Sequence, residues 1–329
     1  MLIAFFRSSF IIQYIALIII AAALWVGAFL HPAPIPLTGG IEVPLFSAIY
    51  PWISSVDWLA VPLAFLIILL EAFILNSVMI YHELVPKNSL IPSIVFITFM
   101  SSSPVLLNIY PALLAVMLFI IFLNLIIPLY EQENNHRSVL SAGLILSISS
   151  MIYFPMVLLL PFFWMCFLIF RILKWREWII SIIAFLIPYL YLAVYYFWTD
   201  NLSMAIDLYL KSFEGFLRFH FPIEFWNISI WVMMILFLFI PALGRIMISI
   251  NSYNINLRKK VSAISWLTIF SISVLFAGGD VRFQAIFLMS LSILISHFFA
   301  TTKKSGWNEI IFLLLLVGII VNNFLKTFI

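Results

Sequence analysis

Runs of about 20 residues with almost no charge recur along the whole length of this chain. Crossing a hydrocarbon core takes roughly 20 apolar residues in a helix of 1.5 Å rise per residue. A soluble chain would be about 25% charged, whereas here only 9% of the 329 residues are charged and 65% are apolar. The pattern predicts an all-α, polytopic transmembrane helix bundle, a single transmembrane domain over residues 1–329. No internal repeat, low-complexity tract or long linker divides it.

About eleven spans can be drawn, over residues 10–30, 58–80, 90–107, 111–129, 138–153, 155–173, 178–198, 226–248, 262–278, 282–300 and 308–326. If they cross alternately, twelve of the 16 Lys and Arg residues fall on the N-terminal side, among them Arg7, Lys87, Arg171, Arg258, Lys259 and Lys260. The positive-inside rule then makes the N-terminus cytoplasmic and predicts a multi-pass protein of a bacterial inner membrane. Arg7 followed by an apolar run resembles a signal peptide, but the run from Phe10 to Leu30 is too long for an h-region and the n-region holds a single base, so it reads as an uncleaved first span. Two junctions, SSSPVLLNIYP after Met100 and MIYFP at 151–155, fit either tight hairpins or re-entrant backbone covered by protein. The fifth span is rich in small residues (Ser141, Ala142, Gly143, Ser147, Ser149, Ser150), which lets backbones approach closely and places it inside the bundle.

Two outer segments exceed turn length. Residues 31–57 open on alternating prolines and carry Glu42 and Asp57 without a base. Within residues 199–225, Asp207, Lys211, Glu214 and Arg218 form one helical stripe and Ile206, Leu210, Phe213 and Leu217 a neighbouring one. An amphipathic helix at about 203–221, lying in the outer interface, accounts for both.

Composition also excludes chemistry. The single Cys166 rules out an intramolecular disulfide or a dithiol pair. No GxxxxGK[ST] or GxGxxG is present, no cofactor is indicated, and the small net charge of +3 with juxtamembrane bases points to membrane lipids rather than nucleic acid as a partner. Five histidines without i,i+4 spacing give no metal site. Glu71 is the one acid well inside a span. A charge there costs about 2.5–3.5 kcal/mol on insertion scales, which makes it a candidate relay acid or ion ligand. The plainer alternative is a carboxyl hydrogen-bonded inside the bundle, with Asn76 or Asn124 as its partner. On the outer face, GGDVRFQ sets Asp280 and Arg282 at the start of a span; Arg282 could grip a phosphate while Asp57 or Glu42 deprotonates an acceptor hydroxyl. A structural ion pair at Asp280 is the simpler reading.

Residues 136–198 and 278–324, including HRSVLSAGLILSISSMIYFP, KWREW and GGDVRFQ, resemble a family of multispanning inner-membrane proteins of Bacteroidota with no assigned activity. The layout is more distantly similar to the GT-C membrane glycosyltransferases. That resemblance implies a catalytic carboxylate in the first outer loop and a polyprenyl-phosphate donor, hence Asp57 or Glu42 as base and Arg282 at the lipid phosphate. The first outer loop is short for that group and its acids are unpaired. Three functions follow: a non-catalytic component or assembly partner of a membrane protein complex, a transferase acting on a polyprenyl-phosphate-linked substrate, or a transporter using Glu71.

Overall fold

The computed structural model describes residues 2–32, 45–48, 51, 59–131, 135–217, 234–276, 284–302 and 306–325. They are helical nearly throughout and include no strand. In chain order the helices are α1 (Leu2–Phe5), α2 (Ile11–Leu30), α3 (Ala60–Tyr81), α4 (Ile91–Met100), α5 (Pro111–Ile126), α6 (His136–Ile152), α7 (Leu160–Phe170), α8 (Trp175–Trp198), α9 (Leu202–Leu217), α10 (Ile240–Ser249), α11 (Ile255–Phe276), α12 (Gln284–Thr301) and α13 (Gly306–Leu325). Six of the described helical stretches are long and apolar enough to cross a membrane, and several apolar helices are shorter.

At the centre lie α4 and α12, packed on each other. Every residue of α4 is buried, as is every residue of α12 from Gln284 to Phe299. A helix apolar on all sides has no preferred face and belongs where neighbours surround it. Against this pair pack α3, α5 and α11. α8 stands at the edge, where Leu186, Leu190, Tyr191 and Trp198 are largely exposed. Such a surface suits lipid, because no hydrophobic penalty drives it inward there.

Small residues set the closest helix contact. Between α6 and α8, His136 meets Glu177, Gly143 meets Ala184 and Ser150 meets Tyr189. The near-constant offset between partners shows that the two helices run parallel. A Cβ placed on Gly143 would lie 2.6 Å from the Ala184 Cβ and 3.2 Å from the Ser181 carbonyl oxygen, so glycine is what permits the approach. On its other flank α6 is tied to α5, where the Ser149 hydroxyl donates to the Ala115 carbonyl at 3.1 Å. The small-residue span therefore sits inside the bundle, as its composition predicts.

Several boundaries differ from the hydropathy reading. α11 begins at Ile255, seven residues ahead of the predicted span, because Arg258, Lys259 and Lys260 are helical, with Lys259 over the Tyr130 ring and Lys260 paired with Glu131. The sixth run opens with a 3-10 stretch, Phe154–Leu159, before α7, and the third run is a helix of only 10 residues. α3, α7 and α8 each end on a residue in the left-handed region, Glu83, Arg171 and Asp200. Each is closed by the six-to-one bond of a Schellman cap, Leu84 N–H to Met79, Ile172 N–H to Phe167 and Asn201 N–H to Tyr196.

Gly143→Ala is expected to destabilise the protein by about 1–3 kcal/mol, because the opposing atoms belong to backbone and a short side chain and cannot yield. Thermal unfolding in detergent checks this, and Gly143→Ala with Ala184→Gly should recover most of the loss. Equal losses in the single and double variants would contradict the close approach.

Candidate functional site

Glu71 lies midway along α3, fully buried. α4 backs it, since the Ser93 hydroxyl donates to the carbonyl of Ala72 at 3.0 Å. On the α5 side its carboxyl lies beside the Met117 backbone, yet neither oxygen makes a bond of hydrogen-bonding geometry. The amide partners that the sequence offers are not used. Asn124 instead bonds His82 at 3.0 Å, and the buried Asn76 leaves its own Oδ1 unbonded. Buried polar side chains nearly always find a partner, and one left without costs roughly 1–3 kcal/mol, more when charged.

The second unusual element is the break after α4. Ser101, Ser102 and Ser103 are buried although the helix has ended, and irregular chain continues through a short 3-10 turn, Pro104–Leu106, to Pro111. Trp25 Nε1 donates to the Ser101 hydroxyl at 3.0 Å, and Asn323 Nδ2 donates to the carbonyls of Ser101 at 2.9 Å and Leu24 at 3.3 Å. Trp25 sits five residues before the end of α2, so α4 stops about 7.5 Å inside that helix's length. Among the described residues the Ser102 and Ser103 hydroxyls and Asn323 Oδ1 have no hydrogen-bond partner.

At the opposite end the chain gathers charge. Lys260, 6% exposed, bonds the Glu131 carboxylate at 2.9 Å and the His82 carbonyl at 3.4 Å. Lys259 stands over the Tyr130 ring at 3.4 Å. His297 bonds the Leu84 carbonyl at 2.7 Å and the Tyr253 hydroxyl at 3.3 Å. Arg7 donates to the carbonyls of Phe299 and Thr302. Of these groups, Lys260 and Tyr253 also line a cleft of about 550 Å³, together with His82, Glu83 and residues 254–257. Burial lowers the proton affinity of His82, the Asn124 bond opposes that, and nearby Lys260 adds to it.

The two regions share one seam. Eleven residues separate Glu71 from His82 on α3, about three turns, so they lie on one side of the helix about 16 Å apart. Met117 and Asn124, their neighbours on α5, are seven residues apart, again on one side.

Of the residues singled out from the sequence, Glu71 is described; Glu42, Asp57, Asp280, Arg282 and Arg218 lie outside the described residues. The structure adds groups that sequence reasoning passes over. Arg258, Lys259 and Lys260 read there as a topology signal alone, and the meeting of Lys260 with Glu131 and His82 depends on residues more than 120 positions apart. Glu177, fully buried in the first turn of α8, faces His136 Nδ1 at 3.6 Å, an acid whose burial its basic neighbours conceal. Among the described residues no three His, Cys, Asp or Glu side chains are grouped to hold a metal. No protein-family model, curated protein or solved structure matches the chain.

The shift at His82 fixes a sign. Its folded-state proton affinity is depressed, so the unfolded chain takes up more protons as pH falls through the ordinary value of 6.5. Stability from this residue is present above that pH and lost below it. Unfolding temperature should drop between pH 7.5 and 5.5, and drop less in His82→Gln, which keeps a polar partner for Asn124. Identical pH profiles for the two proteins would show that His82 does not titrate in this way.

Proposed function

We propose that this protein is a multi-pass membrane transporter in which Glu71 is the group whose protonation or ion binding is coupled to substrate movement. One observation carries the reading: Glu71 is wholly buried at mid-span and, among the described residues, no side chain hydrogen-bonds either of its oxygens. A carboxyl kept for structure would be bound by Asn76 or Asn124, and both are disposed otherwise. An acid that is expensive to keep in lipid and has only a helix backbone beside it among the described residues is suited to exchange a proton or cation. The half-length α4 supports the same reading, because helices that stop within the membrane and present unbonded polar groups are how transporters build substrate sites.

With this function goes a topology of about eleven alternating crossings of a bacterial inner membrane, with the N-terminus in the cytoplasm and α9 in the outer interface. In its support, Arg7, His82, Glu131, Lys260 and Thr302 meet at one end, while Trp25, Ser101 and Asn323 meet away from it. Ile206, Leu210 and Phe213 of α9 are about half exposed on a single stripe, while Ala205 and Ser212 are buried. The readings as a component of a membrane complex and as a polyprenyl-phosphate-dependent transferase rest on sequence; the second needs Glu42, Asp57, Asp280 and Arg282, which are outside the described residues.

Charge movement in proteoliposomes tests the proposal. Presented in turn with amino acids, sugars, organic acids and nucleosides on a supported membrane, the wild-type protein should give a transient current with one class. Glu71→Gln, inserted and folded normally, should lose at least nine-tenths of it. Unchanged current in the Gln variant, or no current with any class from folded wild-type protein, would remove the proposal.

A further inference from the structure

Resting on the transport reading above, we infer that the ion Glu71 exchanges is a proton and not a metal cation. The helices packed chiefly against α3 are α2, α4 and α5. None of these three carries a charged residue, and Glu71 is the one charge of α3 itself. A divalent ion would therefore meet a single carboxylate, whereas calcium and magnesium draw on roughly six to eight oxygens. Of the titratable side chains on these helices, Tyr14 stands against Phe73, two residues from Glu71 and so nearly opposite it on α3, and Tyr81 ends the helix.

Neutral oxygens are as scarce. Ser77, Ser93 and Thr98 donate to the carbonyls of Phe73, Ala72 and Ile94, and Asn124 is taken by His82. Asn76 keeps an unbonded Oδ1, but five residues on from Glu71 it lies on another side of α3. Sodium in transporters is held by unwound backbone carbonyls. At this level α3 and α5 are regular helices, with the Met117 backbone beside Glu71. Irregular chain begins only at Ser101. Since Ser93 meets Ala72, the rise of α4 from Ser93 to Ser101 puts that break about 12 Å further along the bundle. A proton needs no such shell. Seated on one carboxyl oxygen it removes the charge, and with it the cost of an isolated carboxylate in apolar surroundings. In each cycle the carboxylate takes the proton from water on one side and returns it to water on the other.

The test uses the full-length protein in proteoliposomes and reads the carboxyl by infrared difference spectroscopy. At neutral pH the wild type should show the carbonyl stretch of a carboxylic acid, shifted down in heavy water because its proton exchanges with solvent. Glu71→Gln should lack this band. Glu177→Gln, which removes the other fully buried acid among the described residues, should keep it. Replacing potassium by sodium should leave the band unchanged. Current is then read on the wild type alone, so this arm does not depend on the folding of a variant. For the substrate class that is carried, an inward pH gradient should raise the current at least threefold, and exchanging sodium for choline should leave it unchanged. Sodium that abolishes the band, a wild type without the band, or current that follows sodium and ignores pH would overturn the proton and leave transport standing. The band without current for any substrate class would remove the transport reading itself, and the coupling with it.

Discussion

Lipid cannot hydrogen-bond to a backbone or a side chain, and the arrangement of this bundle follows from that constraint. The ten residues of α4 and the irregular chain that follows it would be untenable against acyl chains. They are possible because α2, α3 and α12 surround the helix, and because Trp25 and Asn323 reach from α2 and α13 to bind Ser101. α12, buried along sixteen consecutive residues, is the post on which this cover is built. Its own serines turn inward, Ser292 onto Met289 and Ser296 onto Ser292, so that a wholly enclosed helix leaves few hydroxyls uncommitted.

At the basic end the polar contacts act as fasteners between segments far apart in sequence. Lys260 joins α11 to the end of α3 and to the 3-10 turn after α5; His297 joins α12 to the loop after α3; Arg7 joins the N-terminus to the end of α12. Burying an ion pair such as Lys260–Glu131 adds little net stability once desolvation is counted. What it contributes is register. Removing one member would leave an uncompensated charge or a broken join, so alternative packings of the helices are disfavoured.

Much of the frame was legible in the sequence because hydropathy and helix period are local. The apolar runs, the small-residue α6 and the amphipathic α9 are each written within about 20 residues. Pairing across the bundle is not local. Nothing in the string beside Asn124 marks it as the partner of His82 rather than Glu71, since both lie at plausible helical positions. Hydropathy also misplaces the start of α11: a window that penalises charge cannot see that Lys259 lies over Tyr130 or that Lys260 is buried against Glu131. The same bias hides α4, because ten apolar residues and a polar hairpin average to the hydropathy of a full crossing. Glu71 stood out since a single charge in a long apolar run is visible by inspection, whereas its lack of a partner required the fold.

The seam between α3 and α5 joins these observations. Glu71 and His82 share one side of α3, yet the buried positions between them on that side, Leu75, Val78 and Met79, are apolar, and so is the buried Ile120 of α5. A proton does not cross some 16 Å of such packing without water or a titratable group at intermediate depth. On the proposal that Glu71 exchanges a proton or cation, the seam would have to open on one side at a time, which is the geometry alternating access demands. The elements best suited to yield are those with least regular backbone, the stretch from Ser101 to Tyr110 and the 3-10 segment Phe154–Leu159. Both lie at the end away from the Lys260–Glu131 pair, so on that proposal the fastened basic end would serve as the hinge.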